Sequence, residues 1–291
     1  MRFSHKITYL FLSILSKWVG QLSVAKRHRM ADWLAGYIYN FIPLRKQEAL
    51  QNIYSAFPEN SHAWCLKQLK MSYKFQVHAF LFFLAYPFSY HSANIRIVNK
   101  SIFTDAYASG KGVILVSGHY GLWELMIAWF GCNGYPLVGV GVRQQNRGAS
   151  KFSQELREWS GMKHIYRHTS IDTMYAVLHK GEVLGLLADQ DAKKRGIFVN
   201  FFNMPSSTPK GPSIFYQQSE APLIFATVTA EHPNSYVLKF SPIKAERTDP
   251  IESITQDFTS LLEKEVRNNP EQYFWFHRRW KTKSAPAVKN E

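Results

Sequence analysis

Residues 112–124 read GVILVSGHYGLWE. A continuously apolar run, Val113 to Val116, gives way to a histidine between Gly118 and Gly121, and a second apolar run, Leu125 to Phe130, follows Glu124. Short apolar runs without polar alternation suit strands covered on both faces. The spacing predicts a strand ending near Ser117, a turn around His119, and a helix beginning near Gly121. Ligands in open α/β sheets bind at such carboxyl-terminal turns.

Working outward, similar runs recur at 94–98 (NIRIV), 136–142 (PLVGVGV), 182–188 (EVLGLLA), 222–228 (PLIFATV) and 235–240 (SYVLKF), with helical stretches between most of them. Residues 91–280 are therefore expected to form an α/β core, a mostly parallel central sheet flanked by helices. Residues 1–90 show helical period and almost no strand signal. Trp33, Leu34, Tyr37, Ile38 and Phe41 recur at three and four before Pro43; Ala49, Leu50, Ile53 and Phe57 mark a helix stopped by Pro58; Ser61 can cap a long third one. Its end, FLFFLAYPF at 80–88, is apolar all round, which places it in a core or against lipid. Residues 281–291 read as a polar, mobile tail.

The 291 residues are 46% hydrophobic and carry a formal charge of +14, enough apolar surface for a core and a surface that favours anions. No zinc-spaced Cys/His array, P-loop or RNP signature accompanies that charge, so nucleic acid is not an expected partner. Cys65 and Cys132 each lie in apolar context and read as buried thiols. The N-terminal ITYLFLSILS is short for a bilayer crossing. Continued through Trp18, Val19 and Leu22, with Arg2, Lys6, Lys17, Lys26, Arg27 and Arg29 around it, it suits an interfacial anchor on an anionic membrane face. An ordinary core helix is the alternative, and Ser23-Val24-Ala25 is a passable cleavage site, though far beyond the apolar stretch.

His119 and Glu124 would point about 140° apart on one continuous helix. With His119 in the loop and only Glu124 helical, the imidazole can fold back onto the carboxylate, using torsional freedom from Gly118 and Gly121. A carboxylate on one ring nitrogen fixes the tautomer and leaves the other nitrogen to take a proton from a hydroxyl. Helix N-terminal N–H groups beside it could hold a phosphate or developing oxyanion. Asp189, Gln190 and Asp191 form a polar cluster closing another strand at the same sheet edge, a site or a helix cap. Arg278 and Arg279, beside His277 among Tyr273, Phe274, Trp275, Phe276 and Trp280, suit either a lipid-phosphate boundary or plain packing with exposed arginines.

Taken together, HYGLWE, LLADQD (186–191), GIFVNFFNMPSSTPKGP (196–212), PEQYFWFHRRWK (270–281) and the segment from Leu44 to Glu59 with Arg45, Asn52 and FPE resemble the lipid A late acyltransferases, within the HxxxxD/E group of glycerolipid-type acyltransferases. The resemblance runs over about residues 5–281 in order. It implies transfer of a fatty acyl group from acyl carrier protein to a hydroxyl of an anionic lipid A precursor, at the cytoplasmic face of the bacterial inner membrane, without metal or other cofactor. His119 would be the base and Glu124 its partner. Arg143 falls where the family places an arginine near the site, and the DQD stretch is linked to that site, with Asp189 positioning. Arg278 and Arg279 join the substrate-binding candidates. Ser117-Gly118 and Leu122 depart from the polar residues common in relatives. Rival readings are an acyltransferase for another glycolipid or lysophospholipid, with carrier protein or coenzyme A as donor, a non-catalytic lipid-binding homologue, and a metal-dependent hydrolase built on His119, Glu124 and Asp191.

Overall fold

The computed structural model describes residues 2–42 and 44–284, so Pro43 and the 285–291 part of the expected tail lie outside the described residues. The chain opens with five helices: α1 (Phe3–Gln21), α2 (Val24–Phe41), α3 (Lys46–Ala56), α4 (His62–Leu84) and the short α5 (Phe88–Ser92). Small polar residues set two of the starts. Ser23 Oγ accepts from Lys26 N–H, and Ser61 Oγ from Trp64 N–H at 3.2 Å, filling orphan donors of the first turn.

Strands and helices then alternate: β1 (Asn94–Val98), α6 (Lys100–Ala108), β2 (Val113–Ser117), α7 (Trp123–Cys132), β3 (Leu137–Gly141), α8 (Arg147–Glu158), β4 (Lys163–Tyr166), α9 (Ile171–His179) and β5 (Val183–Leu187). A hairpin follows, β6 (Ile197–Phe201) and β7 (Met204–Thr208), then α10 (Gly211–Gln218), β8 (Leu223–His232), β9 (Ser235–Pro242) and α11 (Ile251–Asn268). Seven strands form one sheet in the order β1-β9-β8-β2-β5-β3-β4, while β6 and β7 pair only with each other. Every pairing in the large sheet is parallel except β8 with β9. The α/β architecture with a mostly parallel sheet flanked by helices is thus as the sequence pattern implies.

Parallelism decides where chemistry gathers. Because β2, β5, β3 and β8 run the same way, the turns after Ser117, Leu187, Gly141 and His232 share one edge of the sheet. The N-terminal helices enter the same packing: Ala49, Ile53, Cys65 and Leu69 of α3 and α4 share a core with Phe201, Phe225 and Trp275. Burying such a Leu or Ile contributes roughly 1.5–3 kcal/mol each.

One expectation is corrected here. Cys65 is buried, but Cys132, the last residue of α7, is exposed, because the helix ends at the sheet's rim where Asn133 and Gly134 turn the chain. No described helix is long and apolar enough to cross a membrane. α1 packs against α8, where the Tyr9 hydroxyl donates to Glu155 at 2.6 Å, and against α4, where the Ser16 hydroxyl donates to Leu84 O at 2.6 Å. Its opposite side leaves Phe3, Ile7, Leu10, Phe11, Ile14 and Trp18 more than half exposed.

Candidate active site

The turn between β2 and α7 is stitched on both sides. Gly121 N–H donates to Gln272 O and Leu122 N–H to Val228 O, both at 2.9 Å, while His119 O accepts from Phe274 N–H at 3.0 Å. Gly121 lies at φ +60°, and a Cβ there would overlap the Val228 carbonyl, so no side chain fits. Gly118 has another reason to be glycine: a Cβ would press on Leu262 and come within 3.3 Å of Asp189 Cβ. Its place lets β5's end come against the turn, a role of close approach rather than the torsional freedom read from the sequence.

That close approach delivers the partner of the histidine. His119 Nδ1 lies 2.7 Å from Asp189 Oδ1, with the carboxylate 2% and the imidazole 26% exposed. A carboxylate only accepts, so Nδ1 carries the hydrogen and Nε2 keeps its lone pair. Gln190 Nε2 stands 3.5 Å from Nε2. Trp123 and Phe274 flank the ring, with centroids 5.8 and 6.2 Å away.

The expected His119–Glu124 hydrogen bond is not formed. Glu124, in the first turn of α7, is clamped by Arg157 from α8: Nε reaches both carboxylate oxygens at 3.2 and 3.0 Å, and Nη2 reaches Oε1 at 2.6 Å. The physical reason is competition. A guanidinium fork satisfies both oxygens at once, which one imidazole N–H cannot, and the ring already has a carboxylate across the sheet edge. Arg157 is itself sandwiched near Phe83 and Trp123, at 5.4 and 5.3 Å from their ring centroids.

Charge and burial set the protonation of these groups. Burial alone would lower the His119 pKa, but the Asp189 charge and hydrogen bond outweigh it and hold it above the ordinary imidazole value. For Asp189 burial pushes upward, and the His119 ring, with the Arg279 cation behind, brings the carboxyl below its usual range. Burial likewise opposes the charge of Arg157, and Glu124 more than restores it.

The other candidates separate. Gln190 stays at the ring, whereas Asp191 accepts from Lys193 N–H at 3.2 Å and from Thr282 Oγ at 2.9 Å, tying down the chain after residue 280. Arg143 sits at the same sheet edge but is exposed and stacked 4.5 Å over Tyr166. Arg278 is exposed and donates to Glu48 at 2.6 Å. Arg279 points the other way and is buried. His119, Glu124 and Asp191 thus engage three different partners and do not converge as a ligand set, and no cluster of three or more His, Cys, Asp or Glu occurs among the described residues. Arg157 is the neighbour that sequence reasoning did not name, while Tyr273 and His277 were named only as the surroundings of Arg278 and Arg279. Nothing in the spacing of α8 marks Arg157; Tyr273 and His277 lay within the quoted PEQYFWFHRRWK.

A family model described as bacterial lipid A biosynthesis acyltransferase matches residues 1–282. The lipid A biosynthesis lauroyltransferase of Escherichia coli (strain K12) is 24% identical over 290 residues, covering 95% of this chain and 92% of that protein. The lipid A biosynthesis palmitoleoyltransferase of the same strain is 27% identical over 183 residues, 61% of this chain and 58% of that protein. A lipid A biosynthesis acyltransferase of Haemophilus influenzae (strain ATCC 51907 / DSM 11121 / KW20 / Rd) is 24% identical over 177 residues, 59% and 56% of the two chains.

Proposed function

The chain belongs to the bacterial lipid A biosynthesis acyltransferase family, and from that premise we propose that it moves a fatty acyl group from an acyl carrier protein thioester to a hydroxyl of a lipid A precursor, with His119 as general base. The carrying observation is the 2.7 Å contact from His119 Nδ1 to Asp189, which leaves Nε2 at the partly exposed edge of the ring. Nε2 takes the proton of the acceptor hydroxyl as its oxygen bonds to the thioester carbonyl carbon. The tetrahedral intermediate collapses, the C–S bond breaks, and His119 returns the proton to the leaving thiolate. Asp189 holds the tautomer and stabilises the imidazolium between the two transfers. No protein nucleophile enters, and Cys132 lies at the far end of α7 from the turn.

Glu124 and Arg157 act in this reading as a rigid wall beside the ring. The clamp keeps α7's first turn and Trp123 in place, while the Glu124 charge favours the transient imidazolium. Arg143 and Gln190 remain candidates for contact with the acceptor or donor, since both lie at the reactive edge of the sheet.

The exposed stripe of α1, spaced at three and four residues, and Trp33, Tyr37 and Phe41 on α2 support a chain that lies on the membrane surface rather than crossing it. The +14 charge would favour the cytoplasmic face of an anionic inner membrane, the acidic carrier protein and a phosphorylated glycolipid acceptor. The test is acyl transfer by purified His119→Ala protein from acyl carrier protein to a lipid A precursor, read by mass spectrometry of the glycolipid. Transfer at the parent rate would remove the reading.

A further inference from the structure

Arg279 is a buried cation with no carboxylate among the described residues in direct contact. It is 2% exposed; Nη1 donates to Ser207 O at 2.7 Å, Nη2 to Thr208 Oγ1 at 2.6 Å, and its carbon lies 5.3 Å from the Phe201 ring centroid. Neutral partners alone do not repay the desolvation of a guanidinium. Its Nε–H has no hydrogen-bond partner among the described residues, and neither does the Ser117 hydroxyl. Both residues, together with Asp189, line a small space of about 10 Å³ beside Thr259, Phe201 and Leu262. That is the size of one water, and the three polar groups are the partners one water there would need. No substrate phosphate reaches this side chain through the packed core around it, so a substrate-binding role does not suit its position.

We propose that Arg279 is a positioning residue whose fixed charge, set behind Asp189 across this water-sized space, keeps the carboxylate ionised and turned to His119 and makes the pair easier to deprotonate. Asp189 touches the imidazole directly and shares the water-sized space with Arg279. A cation placed there supports the carboxylate and opposes a second positive charge on the ring, so the base is freed at lower pH than Asp189 alone would allow. The other charged or titratable groups facing the pair are Glu124 and Arg157 from α7 and α8, Asp191 after β5, and Tyr273 and His277 from the C-terminal segment. Of these, Arg157 is neutralised by Glu124 and Tyr273 is kept protonated by burial and by the Asp189 charge, which leaves Arg279 as the cation acting on Asp189.

The inference rests on the reading of His119 as base, so its test uses two readouts. The full chain labelled with ¹³C at histidine Cε1 is titrated by NMR in detergent micelles as wild type, Arg279→Lys and Arg279→Gln, with the His119 signal assigned by its loss in His119→Gln. The His119 midpoint should rise by on the order of one pH unit in Arg279→Gln and move less than about 0.3 in Arg279→Lys. The acidic limb of kcat/KM should follow it. A midpoint unmoved by Arg279→Gln, or moved equally by both variants, would overturn the proposal and leave Arg279 a packing residue. A midpoint that moves while the activity limb stays would instead sink His119 as base and leave the action of Arg279 on the pair intact. Should Arg279→Gln not fold, Asp189→Asn/Arg279→Gln against Asp189→Asn removes the buried charges together and must show an upward movement of the His119 midpoint for the proposal to survive.

Discussion

Two carboxylates flank one turn and meet different fates. Asp189 is 70 residues from His119 in sequence and holds its ring; Glu124 is five residues away and turns to Arg157 instead. Parallel strand order brings the distant acid close, since β2 and β5 are adjacent and end together, whereas chain continuity merely keeps the near acid in the neighbourhood. Spacing along a chain shows which groups can be near a reactive atom. The sheet decides which one touches it.

The largest expected effect comes from the histidine itself: His119→Ala should lower kcat/KM by about 10³–10⁴-fold while the far-UV circular dichroism spectrum is kept. Asp189→Asn, which removes the tautomer lock but keeps the shape, should cost about 10²–10³-fold. If Glu124→Gln matched or exceeded it, the ranking of the two acids would be reversed and the near carboxylate would be the true orienting group. Arg157→Met should destabilise the fold by about 2 kcal/mol in denaturant titration, because Glu124 is left partly buried and unpaired. Glu124→Gln/Arg157→Met should restore most of that stability, and its residual transfer would measure what the clamp gives to chemistry.

The smallest effect is in the pH profile. A base must be neutral, and the raised His119 pKa places the acidic limb of kcat/KM above the ordinary imidazole value of about 6.5. Asp189→Asn removes the cause of that elevation, so the limb should move to lower pH even as the rate falls. A limb that stayed in place would separate the two residues functionally despite their contact.

Six strands of the large sheet were legible as β-rich runs, β2 most plainly because burial on both faces leaves a continuous apolar signature, and the edge strand β1 by alternation instead. The seventh, β4, is four residues at the sheet's edge, KHIY, and its exposed polar start hides it. The β6–β7 hairpin escaped for another reason. Its two-residue loop, Phe202-Asn203, has both residues at positive φ, 55° and 57°, a conformation usually announced by Asn-Gly or Asp-Gly. At the site, His119 and the DQD cluster could be read from a strand-to-turn pattern, and so could their shared edge. The choice between Asp189 and Glu124 could not, since it depends on a guanidinium contributed by α8, and an arginine on an amphipathic helix carries no mark of its partner. Arg278 and Arg279 show the same limit. Adjacent in sequence and alike in chemistry, one faces solvent and Glu48 while the other is sealed behind Asp189.

The segment from Gln272 to Arg279 runs back along the reactive turn, and it also binds the N-terminal helices: Asn52 donates to Trp275 O and His277 O at 2.7 Å, and Arg45 to Phe276 O at 3.1 Å. Protein synthesis reaches this stretch after the large sheet, the hairpin and helices α1 to α11 have been made. A nascent polypeptide halted before residue 270 would own its histidine and both acids yet lack the clasp that closes the first part of the chain over them. A stop codon between residues 268 and 272 should therefore be as disabling as one before His119, although the histidine and both acids would already be made.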